Sequence, residues 1–140
     1  MTYKFFDHTA DVMFEAEGKD LGGLFEAAGL ATEETQVGLS TVDPKEKRVL
    51  VLEKDSLEML LFDFLQELIF LKDAELLIFS KIKADVKKTK GIYKLTAELS
   101  GEKIDPKKHE LKVDVKAVTL HRFEVKKAAK GWFCRVILDI

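Results

Sequence analysis

The sequence predicts one α+β domain over residues 1–140, a mainly antiparallel β-sheet with two helices packed on it. Three observations predict it. Apolar residues recur at helical spacing in two stretches before residue 76, the second strongly. From Leu76 onward they recur at every second position, the pattern of antiparallel strands with one wet face. Finally, no repeats, low-complexity tracts or linkers separate these stretches, and the length suits one core.

The elements follow in order. Phe5 and Phe6 precede a polar interruption, Asp7, His8, Thr9, Ala10 and Asp11, after which Met13 to Glu17 alternates as a strand with Val12, Phe14 and Ala16 on one face. Asp20 is a plausible N-cap for a helix carrying Leu21, Leu24, Phe25 and Ala28, although Gly22 and Gly23 weaken its propensity. Residues 37–43 read as a loop closed by Asp43-Pro44, and "KRVLVLE" as a short strand. Asp55, Ser56 and Glu58 then cap the strongest helix, whose stripe is Leu57, Leu60, Leu61, Phe64, Leu65, Leu68 and Leu71. Met59, Phe62, Ile69 and Phe70 lie off the stripe, so this helix is expected to be largely enclosed.

A hairpin comes next. Ile82, Ala84 and Val86 alternate up to a turn at 89–91, and Tyr93, Leu95, Ala97 and Leu99 alternate after it. "IDPKKHE" reads as a turn or single helical turn. "LKVDVKAVTL" and "FEVKKAAKGWFCRVILDI" supply further strands, the last two joined near Ala129-Lys130-Gly131.

Composition narrows the classes of function. Apolar residues make up 46% and charged residues 34%, which suits a soluble domain. The longest apolar run, Met59 to Leu71, is broken by Asp63, Gln66 and Glu67 and cannot span a bilayer. No positively charged segment followed by an apolar stretch opens the chain, and the single Cys134 excludes an internal disulfide or a multi-thiolate metal site. A reducing, cytoplasmic setting is expected. Charge is unevenly spread: residues 1–80 hold 7 basic and 17 acidic side chains, residues 81–130 hold 15 basic and 7 acidic. The lysine-rich half is the solvated face of a sheet, or else a surface for RNA or an acidic partner.

The phosphate-loop, dinucleotide-binding, zinc-protease and nucleophile-elbow signatures are all missing, and Cys134 alternates with Phe133 and Arg135 as a packed strand residue. Polar groups concentrate in three places: Asp7, His8 and Asp11; Lys116, Thr119 and His121 in "VKAVTLH"; and Asp139 followed by Ile140 with its carboxylate. If the last strand lies beside the first cluster, Asp11 completes a set of hard oxygen donors with Asp139 and Ile140. Such donors select Mg²⁺, Ca²⁺ or Mn²⁺ over zinc.

Three stretches together, "DHTADV" (7–12), "HELKVDVKAVTLHRFEV" (109–125) and "GWFCRVILDI" (131–140), resemble the archease family. "FLQELIFLKDAE" (64–75) and "SGEKID" (100–105) also have counterparts there, so the resemblance covers nearly the whole chain. It implies an archease-like two-layer sandwich and a small cytoplasmic protein that catalyses no bond chemistry itself. The implied role is activation of the RtcB-type RNA ligase of tRNA splicing and RNA repair, by promoting the ligase's guanylylation and multiple turnover. GTP and Mn²⁺ belong to that partner ligase, tRNA is met through it, and no membrane is involved. The resemblance places the metal positions on Asp11, Asp139 and Ile140 (Ca²⁺, Mg²⁺ or Mn²⁺), an important lysine on Lys116, and histidines on His8 and His121. Met13, Phe64, Gln66 and Leu120 depart from the family pattern, mainly at positions expected to pack. Two other classes compete: an RNA-binding or chaperone-like adaptor for an RNA-modifying enzyme, and a stand-alone metal-dependent hydrolase, which the missing signatures disfavour.

Overall fold

The computed structural model describes residues 1–6 and 11–140; Asp7, His8, Thr9 and Ala10, part of the opening polar cluster, lie outside the described residues. The elements are β1 (Thr2–Phe6), β2 (Asp11–Gly18), α1 (Leu21–Gln36), β3 (Glu46–Lys54), α2 (Leu57–Glu75), β4 (Leu77–Thr89), β5 (Ile92–Lys103), β6 (Ala117–Ala128) and β7 (Gly131–Asp139). The strands form two sheets, ordered β1-β2-β7-β6 and β3-β5-β4, and every pairing is antiparallel. The α+β class is as the sequence predicts, with the strands divided between two sheets. Among the described residues no helix is long and apolar enough to cross a membrane.

Both helix starts follow their caps. The Asp20 carboxylate accepts the Gly23 N–H at 2.7 Å and the Ser56 hydroxyl accepts that of Met59 at 3.3 Å, each satisfying a donor that the first helical turn leaves open. The whole predicted stripe of α2 is buried, and Phe64 stacks on Phe25 of α1 at 5.8 Å between ring centroids. Enclosure is not complete, however: Phe70 is 56% exposed. In the β4–β5 hairpin, Lys90 and Gly91 both take positive φ, 52° and 79°, as a tight two-residue turn requires.

Helix α1 lies along the open edge of β4. Glu33 accepts the Phe79 N–H at 2.7 Å and Glu26, two turns earlier, accepts that of Ala84 at 2.9 Å. These are edge donors with no neighbouring strand on that side. Gly22 explains itself in the same contact, since a Cβ there would sit 2.4 Å from the Ala84 carbonyl oxygen. The glycine that weakens the helix lets it reach the sheet edge.

Two expectations about the C-terminal half need correction. The strand expected from Leu111 begins at Ala117. The N–H groups of Lys112 and Val113 instead donate to the carbonyls of Gln36 (2.9 Å) and Thr35 (3.3 Å). These belong to the last turn of α1, which has no partners of its own for them. Residues 104–116 therefore form a strap that caps a helix. Beyond it, the stretches expected as separate strands are one strand, β6. Its pairing with β7 is irregular between Thr119 and Glu124, where Arg122 takes φ 55°.

Candidate acidic site at the end of the β2–β7–β6 sheet

The last strand does lie beside the opening polar cluster. In the β2–β7 register Asp11 stands opposite Asp139, and on the other side of β7 Asp139 stands opposite Ala117 of β6. Opposed residues of an antiparallel pair share a face, with Cα atoms about 4.5–5.5 Å apart. Val12, Phe14, Ala16 and their β7 partners Leu138, Val136 and Cys134 fill the inner face, so Asp11 and Asp139 point outward, Asp11 half-buried and Asp139 exposed.

Two steps further along the same face, Glu15 stands opposite Arg135 and pairs with it at 3.0 Å. That row matches acid with base; the Asp11–Asp139 row places acid opposite acid, an arrangement that costs stability and suits a cation. The donors are carboxylate oxygens, with the main-chain oxygens of Ile140 adjacent in sequence, and hard divalent cations take such a set. Among the described residues there is no cluster of three or more His, Cys, Asp or Glu side chains fit to hold a metal. The two aspartates are therefore half of a site and no more.

Lys116 joins this row through its backbone, its N–H donating to the Asp139 carbonyl at 2.8 Å, and its side chain is exposed. His121 is exposed on β6, four residues beyond Ala117 and inside the irregular pairing, and does not share the row. His8 and Asp7 lie outside the described residues. Cys134 is buried, which pushes its thiol up to about 12 and fits the packing role expected of it.

What holds Lys116 in place was not foreseen from the sequence. The Lys72 ammonium, buried on the apolar stripe of α2, donates to the Val115 carbonyl at 2.7 Å and pairs with Asp114. Gln66 accepts the Val118 N–H through its side-chain oxygen. Gln66 is thus a hydrogen-bonding position, a correction to its assignment as packing. Between them, two polar side chains of one helix fix the backbone on both sides of Lys116. The signal for Lys72 was present, because it falls four residues after Leu68 and seven after Leu65, in line with the stripe.

Lys72 also helps offset the most buried acid. Burial pushes the Glu33 carboxyl up to about 8, while the Phe79 N–H and the Lys72 charge pull the other way.

At the other end of the strap a second acid cluster is fully matched. Asp105 N–H donates to Nδ1 of His109 (2.9 Å), leaving Nε2 to donate to Glu102 (2.7 Å). Glu102 also accepts the Asp43 N–H at 3.0 Å and meets Lys108 at 2.7 Å, and Lys108 reaches Asp43 at 2.7 Å. Bonds from Lys108, Asp43 and His109 hold Glu102 down to about 2. All of its partners belong to the fold, so we read this cluster as a structural clamp.

The model of the Archease protein family matches residues 3–140. Protein archease of Thermococcus kodakarensis is 38% identical over 139 residues, covering 99% of this chain and 98% of the relative. That of Pyrococcus abyssi matches at the same identity and coverage. The solution structure of Methanobacterium thermoautotrophicum protein 1598 superposes with a TM-score of 0.88 at 38% identity, over 99% of this chain and 98% of that one. The fold is also that of a Thermotoga maritima archease described as a possible chaperone, with a TM-score of 0.63 at 20% identity, covering 98% of this chain and 96% of that one. The chain belongs to the archease family.

Proposed function

We propose that this protein is a non-catalytic activator of the RtcB-type RNA ligase, promoting its guanylylation and repeated turnover in the cytoplasm. The observation that carries this reading is the acid-on-acid row of Asp11 and Asp139 at the end of the β2–β7–β6 sheet, with Lys116 bonded to it through the backbone. The register sets one carboxylate opposite another here, where the Glu15–Arg135 row on the same face sets acid opposite base, and a divalent cation between the two would favour both charges.

In this reading Asp11, Asp139 and the main-chain oxygens of Ile140 hold a Ca²⁺, Mg²⁺ or Mn²⁺ ion. The ion supplies the positive charge that lets an acidic tip approach a nucleotide phosphate. Asp11 and Asp139 orient the tip, and the exposed Lys116 ammonium screens carboxylate charge or meets a phosphate oxygen. RNA is reached through the ligase.

The test is multiple-turnover RNA joining by the cognate ligase with GTP and Mn²⁺. Many turnovers with the wild type, and about tenfold fewer or worse with Asp11→Ala or Asp139→Ala, are the expected outcome. Equal stimulation by folded wild type and both variants removes the basis of the proposal. A direct RNA-binding adaptor would instead bind RNA without the ligase, with affinity falling steeply as salt rises.

A further inference from the structure

The two sheets have four edges, treated unequally. The edge of β4 is closed by α1, through Glu26 and Glu33, and the start of β6 is met by Gln66 of α2. Strand β3 is an outer strand nine residues long with β5 as its ladder partner. Its outward face carries two adjacent valines in unusual exposure, Val49 at 68% and Val51 at 52%. A long open edge with exposed β-branched residues is a template for another strand.

The sequence of β3, Glu-Lys-Arg-Val-Leu-Val-Leu-Glu-Lys, is complementary to itself when run backwards at every position but Arg48 and Leu52. Antiparallel pairing of two copies about a two-fold axis at Leu50 sets Glu46 opposite Lys54, Lys47 opposite Glu53 and Val49 opposite Val51. Glu46, Lys47, Glu53 and Lys54 then each meet the opposite charge, each such pair occurs twice, and Arg48 stands opposite Leu52. On the outward face four valines form a patch flanked by two Lys47–Glu53 pairs. On the inward face Leu50 meets its own copy. Registers shifted by two residues lose this matching and set Lys47 or Glu53 against a neutral side chain. An edge blocked by charge alone needs no such symmetry, since like charges of either sign serve that end.

We propose that β3 is a self-association surface, pairing antiparallel with β3 of a second copy of this chain to make a continuous six-stranded sheet with two-fold symmetry. Asp11 and Asp139 belong to the other sheet, so the pairing stands apart from the acidic tip and from its proposed role.

Sedimentation velocity of the full chain from micromolar to millimolar concentration tests it. The wild type is expected to dimerise within that range. Lys47→Glu alone and Glu53→Lys alone each set two like-charge pairs in the interface and are expected to weaken the dimer by about tenfold or more. A one-to-one mixture of the two variants restores opposite charges in both pairs, and is expected to recover dimers that neither forms alone. Both positions are solvent-exposed, and the one ion pair lost, Lys47 with Glu98, is itself exposed and worth little to folding; circular dichroism checks that the fold persists. A wild type monomeric throughout, a dimer that neither single swap weakens, or a mixture that fails to recover it would each overturn the proposal.

Discussion

The strap of residues 104–116 runs between two acid clusters built on opposite rules. At its start Glu102 meets the Lys108 ammonium and the N–H donors of His109 and Asp43, and lies almost wholly within the protein. At its end Asp139 is exposed and stands opposite another carboxylate. The first cluster joins segments far apart in sequence and every group in it answers another. The second concentrates charge of one sign at the end of a sheet. Glu102 shows how the fold gathers cation and N–H donors around one carboxylate; the Asp11–Asp139 row sets two carboxylates in register, the arrangement that a divalent cation favours.

Three changes can break this contrast. The largest effect is expected from Lys72→Met, which keeps the apolar stem and removes the ammonium that satisfies the Val115 carbonyl. Denaturant unfolding should show a loss of about 2 kcal/mol, the scale for a buried hydrogen bond to a charged donor. An unchanged midpoint would mean that the strap's attachment to α2 contributes nothing to stability.

Next comes the pH dependence set by the clamp. Glu102 titrates near 2 in the folded chain against an ordinary value of 4.5. Between those values the unfolded chain binds more protons, so the clamp's contribution is complete above about pH 4.5 and drains away as the pH falls towards 2. Glu102→Gln should be less stable than wild type at neutral pH, with the gap closing across that acid window. A gap that stays constant down to pH 2 would deny the carboxylate this role.

The smallest effect separates the two clusters by sign. Asp139→Asn relieves the acid-on-acid row and should raise stability, by about 0.5 kcal/mol at low ionic strength. Millimolar Ca²⁺ or Mn²⁺ should raise the Tm of the wild type and leave that of the variant nearly unmoved, because a ligand stabilises only the state that binds it. If Asp139→Asn proves destabilising, or if both proteins respond equally to the ions, the row is an ordinary part of the fold.

Much of this was legible in the sequence. The caps at Asp20 and Ser56, the stripe of α2 and the β4–β5 hairpin are local patterns that packing reinforced. The Asp11–Asp139 pairing was conditional on one tertiary fact, that the last strand lies beside the second, and the register supplied it. Residues 111–116 misled, because an alternating segment reads as a strand whether its N–H groups meet a sheet or a helix end. Lys72, Glu33 and Gln66 were overlooked because each bonds to backbone more than forty residues away in sequence.

By itself, then, the sequence determined the helices, most of the strands and the residue types able to bind a hard cation, since these depend on periodicity, caps and side-chain chemistry within a few residues. Only the tertiary structure decided that the strands divide into two sheets, that α1 seals the edge of β4, and that residues 104–116 cap a helix. It also put Asp11 opposite Asp139 and left β3 with an open edge. These are matters of which backbone donor finds which acceptor across long stretches of chain, and that choice is settled when the whole core packs, not by any local pattern.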